Sequence, residues 1–198
     1  MNRDYRKIYK YCMTSQETNA IKLVNQIMSM KYIPIHGPIH HFIVPAVLLT
    51  CYTNTLGKDK EYLKASLKDV AKRARIVPGG NCASCGACGA ALGVGQFASV
   101  ITKNNPLSEE SWNKVMDITS KCSLEIAKHG GPRCCKRDVY LSILTGAERI
   151  KETLGVDIKT HTPVCGYFKR NEQCRKELCL FYPKKKVLPK NKHQLKNV

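Results

Sequence analysis

Apolar residues recur at helical spacing along most of the chain, and no stretch alternates apolar and polar positions as a half-buried strand would. Ile21, Val24, Ile27 and Met28 form one stripe, with Ser15 or Thr18 expected to cap its helix. A second apolar helix is expected from about His40 to Tyr52, and a third from Asp59 to Arg75. The third carries Tyr62, Leu63, Leu67, Val70 and Ala74 on one side and a solvated lysine face on the other. Pro78, Gly79 and Gly80 break that helix, and a segment rich in small residues starts a new one from Gly86. Asn104, Asn105 and Pro106 make a turn. Ser108, Glu109, Glu110 and Ser111 then open a helix with acids at its positive end. Trp112, Val115, Met116, Thr119, Cys122 and Ile126 share one of its faces. Gly130 and Gly131 end it, and Pro132 suits the first position of the next helix. Behind Pro132, Cys135, Val139, Ile143, Ala147, Ile150 and Leu154 recur at helical spacing. After Gly155 the periodicity dissolves.

This pattern predicts an all-α bundle of about six to seven helices over residues 1–156. A small cysteine-rich, metal-binding segment follows over 157–183, and a basic disordered tail over 184–198. A hydrophobic content of 43% suffices for a packed core. The charged start, MNRDYRKIYKYC, does not read as a secretory signal. The longest apolar run, Phe42 to Cys51, contains Pro45 and Thr50 and falls short of the ~20 residues a membrane-spanning helix needs. A cytoplasmic protein without membrane contact is expected.

Eleven cysteines change the picture. Their odd number and the absence of an export signal make a disulfide framework a poor explanation, whereas clustered thiols in a reducing compartment serve as metal ligands or redox catalysts. Cys82, Cys85 and Cys88 form a C-x2-C-x2-C run among glycines, the first part of the bacterial ferredoxin pattern. Its fourth cysteine and following proline are missing. Cys134 and Cys135 open a helix beside Arg133, Lys136 and Arg137, where the macrodipole and cations stabilise thiolates. Successive helical residues point about 100° apart, so both thiols reach one centre only through a distorted first turn. Cys165, Cys174 and Cys179 lie in a segment with little core of its own, which a metal or docking must order. His161 or a core cysteine would complete a four-ligand set there, and zinc suits such a site. Cys12, Cys51 and Cys122 lie on apolar faces and read as small core residues.

His36, His40 and His41 form a further cluster, in which His36 is a candidate metal ligand and His40 and His41 are candidate proton carriers. Pro38 between them makes a shared helix face awkward. P-loop, dinucleotide-binding GxGxxG, radical-SAM and GxSxG patterns are all missing, which disfavours those enzyme classes. The net charge of +18 favours anionic partners, RNA or a phosphorylated cofactor among them. Six lysines after Pro183 supply +6 of it and leave +12 on the rest of the chain. No aromatic RNA-binding motif accompanies that charge.

The strings IHGPIHHFIVPAVLLTCYTN (35–54), VPGGNC and GACGAALGVGQFASVIT (within 77–102), PLSEESW (106–112) and HGGPRCCKR (129–137) resemble a domain-of-unknown-function family of anaerobic bacteria and methanogens. The resemblance covers residues 30–183. It implies one ligand set of Cys82, Cys88, Cys134 and Cys135 and another of Cys165, Cys174 and Cys179, with Cys85 as a departure from a C-x5-C pattern. Relatives fused to methyltransferase-like domains imply a role in sulfur or methyl chemistry beside a redox or methyltransferase-type partner.

Three readings follow. The first is an iron–sulfur protein, with a 4Fe-4S cluster whose charge Arg133 and Lys136 balance. The second is a zinc-stabilised RNA-binding module. The third is a thiol redox or sulfur-transfer enzyme with Cys134 or Cys135 as nucleophile.

Overall fold

A computed structural model describes residues 3–184, so the tail expected over 184–198 lies outside the described residues except for Lys184. The described residues fold as eight α-helices: α1 (Arg3–Thr14), α2 (Ala20–Met28), α3 (Ile39–Thr55), α4 (Lys60–Ile76), the single turn α5 (Asn81–Ser84), α6 (Gly89–Ile101), α7 (Glu110–Lys128) and α8 (Cys135–Leu154). Two 3-10 turns follow, Phe168–Arg170 and Lys176–Leu178. Among the described residues there is no strand, only an isolated parallel bridge between Asn19 and Lys159. The fold is all-α, as the periodicity predicts, and no described helix is long and apolar enough to cross a membrane.

Helix α3 is the axis. Every residue from Ile39 to Thr53 is buried, which is what a helix apolar on all sides requires. It packs against α1, α2, α4, α6 and α8. The small residues of α6 let helices approach closely. A Cβ on Gly93 would meet Pro45 Cδ at 2.8 Å, and one on Gly146 would meet Val94 Cγ1 at 2.6 Å. Both lie inside normal van der Waals contact, so α3, α6 and α8 are held at glycine spacing.

Several elements depart from expectation. Helix α1 arises from a charged segment whose apolar stripe is only Tyr5, Ile8 and Cys12; Tyr5 stacks on Phe42 with ring centroids 4.5 Å apart. Helix α2 is capped by Asn19, which accepts from Ile21 N at 3.1 Å and Lys22 N at 3.0 Å, in place of Ser15 or Thr18. Helix α6 begins at Gly89 because Gly80 and Gly86, at φ +84° and +65°, turn the preceding chain through α5. Helix α7 packs mainly on α6 and α8 and buries Val115, Ile118 and Cys122, leaving Trp112 and Met116 45% and 55% exposed. Pro132 lies outside α8, since Arg137 Nη2 bonds Gly130 O at 2.8 Å and Pro132 O at 3.4 Å and holds that connector off the helix. Cys134 takes the N-cap position instead.

Candidate metal centres

Three helices begin around one cavity of about 230 Å3. His40 and His41 come from the first turn of α3, Cys88 from the N-cap of α6 and Cys135 from the first turn of α8; all four line it, together with Cys82 of α5. Their sequences explain the convergence. Pro38 occupies the N-cap of α3, while the turning glycines before α6 bring Cys82 and Cys88 back over α8. Unpaired N–H groups and helix dipoles at such ends favour negative charge, thiolate included. Gly89 is needed for the fit, because a Cβ there would overlap the His41 ring.

The imidazoles are pre-oriented. His36 Nε2 lies 3.2 Å from Asn171 Oδ1, His40 Nδ1 2.9 Å from Gly37 O and His41 Nδ1 3.2 Å from Val77 O. A carbonyl oxygen only accepts, so in each neutral ring the bonded nitrogen holds the proton and the other holds a lone pair. Two of those free nitrogens, His36 Nδ1 and His40 Nε2, are buried with no hydrogen-bond partner. Burial, reinforced by the nearby Lys136 ammonium, pushes the His40 pKa down to about 3 and keeps the ring neutral. An imidazole steered by a carbonyl on one nitrogen and left open on the other is the arrangement seen in metal ligands.

Asp138 and Arg133 complete the wall. Asp138 is buried, and its Oδ1 accepts from Arg137 Nε at 3.1 Å. Burial raises its pKa against the pull of that guanidinium. The cavity continues past Cys82, Cys88 and Arg133 into an open groove of about 530 Å3 that follows Gly130, Gly131 and Pro132.

A second, much smaller cavity of about 20 Å3 lies on the other side of the α8 start. Cys134, Cys165, Cys174 and Cys179 line it, within a wall that includes Tyr140, Tyr167 and Phe181. Asn171 Nδ2 donates to Cys134 Sγ at 3.5 Å, Tyr167 N to Cys165 Sγ at 3.4 Å and Lys176 N to Cys174 Sγ at 3.4 Å. Phe181 meets Tyr140 edge-on at 5.2 Å and seats the segment on α8.

The ligand set suggested by Cys82, Cys88, Cys134 and Cys135 is thus divided. Cys134 is extended at the N-cap and Cys135 is the first helical residue, so the two side chains part: Cys135 joins Cys82 and Cys88 while Cys134 joins the C-terminal cysteines. Cys85 is exposed beside Ser84 Oγ, 3.7 Å away, and lines neither cavity. His161 stands apart, its Nδ1 3.0 Å from the α2 cap Asn19, and Cys134 occupies the place proposed for it. Lys136 lines neither cavity; it is buried beneath them, with Nζ 3.3 Å from Met28 O and 4.7 Å above the Tyr167 ring. Cys12, Cys51 and Cys122 are fully buried in the core. Burial pushes the Cys88 thiol up to about 12 and the Cys134 thiol up to about 11, and it raises Cys135 and Cys165 as well.

As the side chains stand, no group of three or more His, Cys, Asp or Glu among the described residues is arranged to hold a metal ion. Binding at either cavity therefore requires the thiols to close in. Two site residues, Asp138 and Asn171, escaped sequence reasoning. Asp138 left a trace, since an acid following RCCKR inside a buried helix start needs a cationic partner. Asn171, one polar residue in a polar segment, left none.

No curated protein and no solved structure matches the chain. A family model does match residues 8–182, which include every residue of both cavities, and the chain accordingly belongs to that family, a family of unknown function (DUF5714).

Proposed function

We propose that this protein carries an iron–sulfur cluster, of the 4Fe-4S kind, in the larger cavity and uses it in redox, sulfur- or methyl-transfer chemistry. One observation supports this most: Cys82, Cys88 and Cys135 share a cavity of about 230 Å3 with His40, whose Nε2 is buried and unpartnered. A space this size exceeds the volume of a single ion. A cluster takes each thiolate on a different iron, so its ligands stand further apart than those of one ion. Three thiolates would hold three corners, and His40 and His41, kept neutral by burial, face the remaining space as lone-pair donors. Such a cluster supplies electrons, or a Lewis-acidic iron where one corner lacks a cysteine.

The chain's own groups prepare the site. The helix starts of α3, α6 and α8 and the Arg133 guanidinium offset thiolate charge. Carbonyl and amide partners fix the imidazole rings, and the adjoining groove offers a substrate or partner a way in. A free thiol nucleophile is the less favoured reading, because burial opposes the thiolate form at both Cys134 and Cys135.

Anaerobic purification tests the proposal. The wild-type protein should be brown, with about four iron and four sulfide per chain for one cubane. Cys82→Ser, Cys88→Ser and Cys135→Ser should each lose most of that iron, whereas Cys85→Ser should keep it. Colourless, iron-free protein after anaerobic reconstitution with iron and sulfide would sink the reading.

A further inference from the structure

The smaller cavity differs from the larger in size and in its ligand set, with four cysteines and no histidine. Its four cysteines come from three parts of the chain: Cys134 at the α8 N-cap, Cys165 after the helical bundle, and Cys174 and Cys179 around the second 3-10 turn. At about 20 Å3 it has room for one water-sized body. That is far less room than the larger cavity offers, and it suits a single ion better than a cubane. Three of the four sulfurs already accept N–H groups, from Tyr167 N, Lys176 N and the Asn171 side chain. Donors aimed at sulfur stabilise its ionised, metal-bound form.

The segment that supplies these thiols also needs a tether. Between Gly155 and Lys184 the regular structure consists of two three-residue 3-10 turns, and the apolar side chains this segment lends to the core are Ile158, Tyr167 and Phe181. Phe181 packs on Tyr140, Lys136 Nζ lies over the Tyr167 ring, Asn171 meets His36 and Ala20 N bonds Lys159 O at 2.9 Å, while Cys165 N bonds Phe181 O at 2.7 Å within the segment. A short chain with so little core is ordered by a structural metal when four soft ligands converge in it.

We propose that Cys134, Cys165, Cys174 and Cys179 close on a single zinc ion, a structural site separate from the cluster cavity, which fastens residues 160–183 onto the start of α8. Tetrathiolate coordination selects zinc or iron, and the affinity order of divalent metals favours zinc over ferrous iron. The thiols release their protons on binding, and the metal replaces them. The site also has a consequence for its neighbour. Asn171, held in this segment, donates to Cys134 and accepts from His36, so the zinc knot positions a residue of the larger cavity without touching whatever binds there.

Metal analysis of full-length protein separates this inference from the cluster reading. Wild-type protein purified without added metal should hold one zinc per chain, and Cys174→Ser and Cys179→Ser should lose it. Cys82→Ser/Cys135→Ser should lose iron but keep zinc. Cobalt(II) reconstitution of that double variant should give the intense visible bands of a tetrahedral thiolate site, a readout that does not require the tail variants to fold. A wild-type chain that holds iron but no zinc, or a double variant whose cobalt spectrum lacks tetrahedral bands, overturns the inference and leaves the cluster reading standing. Zinc without iron does the reverse.

Discussion

His36 Nε2 lies 3.2 Å from Asn171 Oδ1, a contact between residues 135 positions apart in the chain. The same Asn171 amide turns its Nδ2 to Cys134 Sγ, 3.5 Å away, and its Oδ1 also accepts from Gln173 N at 3.1 Å. One buried side chain therefore joins a histidine of the larger cavity to a thiol of the smaller.

Asn171→Ala should be felt at both. It leaves His36 without its acceptor and Cys134 without its donor, at a cost of about 1–3 kcal/mol for unsatisfied buried groups. Asn171→Asp keeps the acceptor for His36 but replaces the donor with a negative charge facing sulfur. Thermal unfolding should rank wild type above both variants, and metal content should fall further in Asn171→Asp. Equal metal retention in all three proteins would show that the bridge is incidental.

Gly89→Ala should disturb the α3–α6 seam. The new Cβ would overlap the His41 ring, and relief means moving an imidazole bonded to Val77 O at 3.2 Å. Overpacking of this kind costs about 1–3 kcal/mol. A urea midpoint unchanged from wild type would contradict the close approach of the two helices.

Asp138→Asn removes the carboxylate that pairs with the buried Arg137 at 3.1 Å. Breaking a buried pair costs about 3–5 kcal/mol, because the remaining charge is uncompensated. Arg137 keeps its bonds to Gly130 O and Pro132 O, so the loss should fall near the lower end of that range. Chemical denaturation measures it directly, and a loss under 1 kcal/mol would mean that those carbonyls suffice.

The bundle itself should respond according to burial. Phe42 is fully buried on α3 beneath Tyr5, and Phe42→Ala should lose about 3–5 kcal/mol. Trp112, 45% exposed on α7, should lose within about 0.5 kcal/mol on replacement by alanine. Paired denaturation curves distinguish the two, and similar losses would refute the assigned orientation of α7.

Local sequence determined much of this protein. Long periodic stretches specified α3, α4, α6, α7 and α8, because each must bury one stripe or, for α3, its whole circumference. The all-α class and the concentration of cysteine and histidine around a few helix starts were equally legible. Helix α1 was not, since three apolar positions in a charged segment become a stripe only when Phe42 and its neighbours are there to receive them. How Cys134 and Cys135 divide between the two cysteine groups was likewise decided by tertiary structure. Cys134 and Cys135 are adjacent in the chain, but Cys134 is an extended N-cap residue (φ −141°, ψ 98°) and Cys135 the first helical one, so each faces whatever the fold brings to its own side. Chain loops bring Cys82 and Cys88 to one side and the C-terminal segment to the other. Spacing along a chain carries no information about such long-range convergence; it exists only once the helices have packed.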